Sequence, residues 1–518
     1  MTEFISRALP VARLTWRRMR DVVHTLSLAS LAVAIATTTP IGAQIPATEY
    51  AARRTALIQG LPDGIVLALG SSAPAQDYIN FFQNSPFSYL TGFSEPDAAL
   101  VMVIRNGVIA GKPIIFVPPS DPAREVWEGY RLGVAGATAK YGFDARPSDA
   151  LPAVVDSLFA AGAGKALHVV GDYRANRAVK SRDDQLVAAI AGRNAGVAPQ
   201  SINGRVNRGR AIKSAAELDF IRKAVAITVD AHREAMRATE PGMNEFEIQA
   251  LVEYTFRRNG ADRPGFGTIL GSGPNSTTLH YNANDRFIGR DDVIVMDIGA
   301  AYRGYSADVT RTIPANGTFS AAQRDIYTAV RAAQAAAERA ASVNGAAQAL
   351  TTAAQASLSA SLARLGLIES VGATYDCSAT GGQECSQLSM FYMHGLGHPI
   401  GLDVHDPGAS TGEGNLVPGS AFTIEPGIYV RENLLSIIPN TPRNQAMIAR
   451  IRPAVEKYRN IGVRIEDDYI VTPSRVEWIS TAPREMAEIE ALMREPWNGP
   501  KARDATKVEW YRSTGGTD

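Results

Sequence analysis

The sequence predicts an α/β domain over residues 44–205, followed by a larger domain of helices and strands over 206–497. Three observations predict it. The 518-residue length exceeds one ordinary domain. Residues 50–200 alternate short apolar runs with helical patches. Near residue 205 the text turns basic and polar, and long amphipathic helices begin.

In the first domain, GIVLALGS, AALVMVIRNG and KPIIFVPP are apolar runs bounded by Gly, Pro or Asn, and they read as strands. ALPAVVDSLFAAGAG reads as a helix and ALHVVGD as the strand after it. In the second domain, Ser214 and Glu217 form a capping-box pattern at the head of a long helix that ends by Pro241-Gly242. NEFEIQALVEYTFRRNG gives a second helix, stopped at Gly260. The Ala-rich stretch 320–365 reads as two closely packed scaffold helices broken at Asn344-Gly345. Residues 498–518 read as a polar tail.

Hydrophobic residues make up 45% and charged residues 20%, a globular balance. Lys+Arg and Asp+Glu each number 52, so no basic excess points to a nucleic-acid partner. Arg17, Arg18 and Arg20 precede a stretch without charged residues between Asp21 and Glu49. Its apolar part is short for a membrane span and rich in Ser, Thr and Ala. It ends in small residues before Gln44. Residues 1–43 therefore read as an export signal, with an uncleaved anchor or buried helix as the alternative. The expectation is an exported protein, periplasmic or secreted, with no stable membrane span after signal removal. Cys377 and Cys385 flank a Gly-Gly turn, and in an exported chain they read as a structural disulfide. The alternative is a metal pair, but no other cysteine could complete a thiolate zinc site.

Of seven histidines, four fall in two compact motifs: His280 in TLHYNAN, and His394, His398 and His405 in FYMHGLGHPIGLDVHD. VIVMDIGAAYRGYSADVTRT carries Asp297 and Asp308 at the ends of strand-like runs, and a hairpin through Gly299 and Gly304 can bring them face to face. Asp297 follows an apolar run, and a buried carboxylate needs a partner or a metal. Glu425 in AFTIEPGIYV repeats that situation. In GVRIEDDYIVT, alternation puts Arg464, Glu466 and Asp468 on one face of a single strand. Singly, each has an ordinary structural explanation. Jointly, Asp297, Asp308, His398, Glu425 and Glu466 suit a pair of divalent ions such as Mn²⁺, Co²⁺ or Zn²⁺. HExxH is absent, which excludes that type of one-zinc protease.

These motifs resemble those of the pita-bread metallopeptidases (M24), and within them the Xaa-Pro aminopeptidases (aminopeptidase P) and prolidases. NSPFSYLTGFSEPDAALVM and GRAIKSAAELDFIRKA extend the likeness outside the site. The resemblance implies an α/β creatinase-like N-terminal domain, then an α+β pita-bread (creatinase/aminopeptidase) catalytic domain. It implies two metal ions, Mn²⁺ first among them with Co²⁺ or Zn²⁺ as alternatives, held by the five residues above. It assigns Glu425 as proton shuttle, His280, His394 and His405 as substrate-assisting histidines, and Arg464 as an orienting residue. The implied reaction is metal-dependent hydrolysis of the bond before proline, on peptides with proline second. An Xaa-Pro dipeptidase is the alternative, and a metal-free creatinase-like or binding protein a further one. A homo-oligomer is left open. Two departures from the family, around 366–390 and LLSIIPNTPRNQAMIARIRPAVEKYRN, flank the active-site strands, where an entrance could be shaped.

Overall fold

GIVLAL is apolar at every position because the strand it forms, β1 (Gly64–Leu69), is buried throughout. The computed structural model of the protein describes residues 44–380, 382–409 and 414–499. The predicted export signal over 1–43 and all but the first two residues of the predicted tail lie outside them. Around β1 stand β2 (Ala99–Arg105), β3 (Val108–Ile109), β4 (Ile114–Val117), β5 (Asp144–Pro147), β6 (Ala166–Val170) and β7 (Ala198–Ser201). They form a seven-stranded sheet of order β5-β4-β2-β1-β6-β7, with β3 on β2. The sheet is mixed, since β1 runs antiparallel to β2 and parallel to β6. Helices α1 (Leu151–Ala160) and α2 (Arg182–Arg193) bury Val155, Phe159, Val187 and Ile190 in one of its two cores. The other core holds Phe87, Leu90 and Phe93, together with Val206 from the helix Asn203–Arg210.

The second half opens on α3 (Ala215–Ala238), where Ser214 and Glu217 form the expected reciprocal cap. Next come α4 (Glu245–Arg258), α5 (Ala321–Ala340) and α6 (Gln348–Leu365). Between α5 and α6, Asn344 adopts φ +61°, a left-handed turn that breaks the Ala-rich stretch. Small residues let these helices approach closely, and Ala329, Ala333, Ala337 and Ala354 are fully buried in one large core.

Strands β8 (Arg263–Pro264), β9 (Ile269–Ser272), β10 (Val293–Ile298), β11 (Ala300–Tyr302), β12 (Tyr305–Ser306) and β13 (Val309–Pro314) pair as β13-β10-β9 and β12-β11-β8. The hairpin β11–β12 turns on Arg303 and Gly304, both at positive φ, the turn whose twist matches its strands. Further on, β14 (Thr374–Asp376) and β15 (Glu384–Ser386) form a hairpin closed by a Cys377–Cys385 disulfide. Then β16 (Ala421–Ile424), β17 (Gly427–Val430), β18 (Ile461–Arg464), β19 (Asp467–Val471) and β20 (Val476–Trp478) pair as β16-β19-β20 and β17-β18.

The run GVRIEDDYIVT is two strands rather than the single one expected. The chain leaves β17 for β16 at Ile465-Glu466, whose N–H groups turn to Pro426 O (3.4 Å) and Thr310 O (3.1 Å). The two departures from the family pattern pack on each other. Helix α7 (Pro442–Tyr458) grips the β14–β15 hairpin through Arg443 to Glu384 (2.6 Å) and Thr441 to Asp376 (2.6 Å). No helix among the described residues is long and apolar enough to cross a membrane.

Candidate metal centre

Asp297 is buried because it belongs to β10, where it pairs with Thr310 of β13 in the strand core. The β11–β12 hairpin returns the chain to Asp308 directly before β13, and Asp308 N–H donates to Asp468 Oδ2 (3.1 Å). His398 lies against β16, with Thr423 N–H on its carbonyl (2.9 Å). That approach requires Gly397, where a Cβ would stand 2.1 Å from Thr423 O. Glu425 sits at the Pro turn from β16 to β17, and Glu466 at the step from β18 to β19.

Four chain segments thus converge. His398 Nε2 lies 3.3 Å from Asp308 Oδ2, 3.6 Å from Glu425 Oε1 and 3.9 Å from Glu466 Oε1. Asp297, Asp308 and Glu466 offer ligand atoms within 4.8 Å of one another, as do His398, Glu425 and Glu466, and Asp308, His398 and His405. Asp297 Oδ1, Asp308 Oδ1 and Glu466 Oε1 are buried with no hydrogen-bond donor among the described residues. Burying such acceptors unpaired is costly, and packing several carboxylates together compounds it. Burial, then the neighbouring Glu466 and Asp297, hold Asp308 well above the usual carboxylate range. Burial and Glu466 do the same to Glu425, and burial with Asp297 pushes Glu466 up to about 8. Burial, then His405, lowers His398 to about 4, which leaves its imidazole neutral. Four carboxylates and one neutral imidazole, with orphaned oxygens pointing inward, are the donor set that divalent cations neutralise.

Around this cluster, Arg464 is buried and uses its whole guanidinium. Nη2 meets Asp297 Oδ2 (2.5 Å) and Leu279 O (3.2 Å), Nη1 meets Tyr429 Oη (2.9 Å), and Nε meets Thr310 Oγ1 (3.2 Å). An arginine only donates, so the Tyr429 hydroxyl proton turns to His394 Nε2 (2.9 Å). His394 Nδ1–H then donates to Gly395 O (2.8 Å) and lies 3.6 Å from Glu425. Burial, then Arg464, lowers His394 to about 4, in keeping with a neutral ring. The His405 ring lies 4.1 Å from that of His398.

A cavity of about 470 Å³ gathers all nine predicted residues, namely His280, Asp297, Asp308, His394, His398, His405, Glu425, Arg464 and Glu466. Phe266, Ile269, Leu279 and Val404 supply apolar wall. Asp468 is not in that wall; it stands behind Asp308. Among the described residues, neither α7 nor the disulfide hairpin contributes to the lining of this cavity. Sequence reasoning missed Tyr429 and Thr310. Tyr429 carried a signal, since a hydroxyl inside the fully buried strand GIYV needs a polar partner.

Comparison with known proteins fits this architecture. Residues 219–473 match the model of metallopeptidase family M24, and residues 50–168 match the aminopeptidase P N-terminal domain. Xaa-Pro aminopeptidase of Escherichia coli is 32% identical over 87% of this chain and 98% of its own length. The chain belongs to metallopeptidase family M24. Xaa-Pro aminopeptidase of Haemophilus influenzae is 33% identical, again over 87% of this chain and 98% of its own. The solved aminopeptidase PepP of Pseudomonas aeruginosa superposes with a TM-score of 0.71 at 33% identity, covering 87% of this chain and 98% of that one. Proline aminopeptidase P II of Yersinia pestis gives 0.74 at 29% identity, covering 87% and 99%. This M24 chain therefore carries an aminopeptidase P N-terminal domain and a pita-bread catalytic domain.

Proposed function

We infer that this chain is an Xaa-Pro aminopeptidase, a metal-dependent exopeptidase that releases the N-terminal residue of peptides with proline second. The observation that carries this is one cavity lined by four carboxylates and a neutral imidazole, in a chain alike over nearly the full length of proteins named for that activity. Asp297, Asp308, His398, Glu425 and Glu466 would hold two divalent ions, and the orphaned oxygens of Asp297, Asp308 and Glu466 support that reading. The carboxylate-rich set suits Mn²⁺. When bound, the ions supply an acidified water and Lewis-acid polarisation of the scissile carbonyl. Glu425, whose proton affinity burial and the neighbouring Glu466 raise, carries the proton to the proline nitrogen. His280 and His405, exposed at the cavity, meet the substrate, and His394 is held beside Glu425 by Tyr429. Arg464 fixes Asp297 and, through Tyr429, His394.

The test is a length series, Xaa-Pro against Xaa-Pro-Yaa and longer peptides, on metal-stripped protein with single metals returned. Cleavage of the longer peptides, restored by Mn²⁺ and lost in Asp308→Ala, is expected. Cleavage of the dipeptide alone would turn the reading to an Xaa-Pro dipeptidase, and full activity without metal would end it. Residues 1–43 support export of the protein, as does a bonded Cys377–Cys385 pair, and fractionation of the producing cell tests it.

A further inference from the structure

The segment RAIKS, which joins the two halves of the chain, carries two cations that no step above uses. Arg210 and Lys213 are only 3% and 5% exposed. Both reach the loop that carries His405. The Arg210 Nη2 group bonds Asp403 Oδ2 and Asp406 Oδ1 together, so one nitrogen ties the acidic residues on either side of Val404-His405. Lys213 Nζ lies 3.1 Å from Asp406 Oδ2 and donates to Pro407 O (3.3 Å). Ser85, from the N-terminal domain, donates to the other oxygen of Asp403. The loop also closes on itself. Asp403 N–H donates to Asp406 Oδ1 (3.1 Å), and Asp406 N–H donates to Pro399 O (2.9 Å) beside His398. A Cβ at Gly401 would stand 2.5 Å from Asp406 Oδ2, so the carboxylate is packed tightly against the loop backbone. By contrast, His405 itself is exposed in the cavity.

A surface loop needs no clamp with three buried charges, Arg210, Lys213 and Asp406, to stay folded, and removing one partner of such a cluster leaves an uncompensated buried charge. We propose that Arg210 and Lys213 are positioning residues for the reaction: by holding Asp403 and Asp406 they fix the His405 imidazole in the cavity, and with Ser85 they make its geometry depend on the N-terminal domain. The proposal rests on the reading above that His405 meets the substrate. A residue acting through His405 loses its effect once His405 is gone, whereas a general support for the fold does not.

The test is a double-mutant cycle on the full-length, metal-loaded protein with an Xaa-Pro-Yaa substrate. Arg210→Met is expected to lower kcat/KM about thirtyfold, in the range that a small misplacement of an active-site group costs. In the His405→Ala background the same change is expected to cost less than threefold. Equal losses in both backgrounds would overturn the proposal, as would a folded Arg210→Met with normal kinetics. Should Arg210→Met fail to fold, Arg210→Lys and Lys213→Met run through the same cycle with one ion pair kept. Hydrogen–deuterium exchange covers a chain that proves inactive on these peptides. Faster exchange confined to residues 399–409 supports the clamp, and equal acceleration in α5 refutes it, whatever becomes of the proposed substrate.

Discussion

Replacing Arg464 by methionine removes the buried countercharge of the candidate metal centre. Arg464 is 3% exposed; its guanidinium makes one ion pair, to Asp297 at 2.5 Å, and donates to three neutral acceptors, Leu279 O, Tyr429 Oη and Thr310 Oγ1. Breaking a buried ion pair from one side costs roughly 3–5 kcal/mol, because the remaining charge stays unsolvated. For a chain of this size that is a fall in Tm of roughly 3–5 °C. Asp297 would then be free to swing out of the cluster, and losing the support of a metal-ligating carboxylate typically weakens binding by about 10–100-fold. Arg464→Lys keeps a charge for Asp297 but lacks the fork that also serves Tyr429 and Thr310, so it should recover only part of each loss. Thermal melts of metal-stripped protein and calorimetric titration with Mn²⁺ read the two effects separately. A methionine variant within about 2 °C of the parent, with unchanged Mn²⁺ affinity, would refute the assignment of Arg464 as the countercharge.

Four further outcomes are expected. Tyr429→Phe removes the hydroxyl joining Arg464 to His394; kcat should drop by about tenfold with KM little changed, since what is lost is orientation rather than a substrate contact. Gly397→Ala sets a methyl 2.1 Å from Thr423 O, so the His398 backbone must move, and metal stoichiometry measured by mass spectrometry of the purified protein should fall. Metal-stripped protein should lose stability as pH rises. Glu466 has a folded pKa of about 8 against an ordinary 4.5, so the native state holds the proton more tightly; stability is full below the unfolded value and drains away as pH climbs through about 8. Melts in chelator from pH 7 to 9 should therefore decline, since the lowered His394 and His398 favour rising pH only up to their unfolded value of about 6.5, and a flat or rising profile there would contradict the raised carboxylates. Cys377→Ser with Cys385→Ser should cost about 2–3 kcal/mol, as expected for a loop this short, yet leave kcat/KM within about twofold, because the hairpin lines no part of the cavity.

Much of the site was legible in the sequence. A carboxylate after an apolar run is conspicuous because burial penalises it, so VIVMDIG and AFTIEPG announced Asp297 and Glu425 without any knowledge of their partners. Capping chemistry is equally local, and Ser214 with Glu217 marked the start of α3. The break between β18 and β19 was not legible. Alternation in GVRIEDDYIVT is continuous, and the chain divides there only because Pro426 and Thr310, distant in sequence, take the N–H groups of Ile465 and Glu466. Tyr429 escaped for the same reason. Its hydroxyl gains its role from Arg464 and His394, both 35 residues away in opposite directions along the chain.

The sequence by itself determined which chemistry this chain can do, because residue type, burial tendency and local spacing are written into short segments. Only the tertiary structure decided which of those groups meet. Carboxylate oxygens and one imidazole nitrogen from four segments, spread between Asp297 and Glu466, come together in overlapping groups of three when β10, β13, β16 and β18 are packed together. It also decided that the two family departures grip each other rather than the cavity, and that Arg210 and Lys213 reach across to the His405 loop. Distances of this kind depend on long-range packing, which no local pattern encodes.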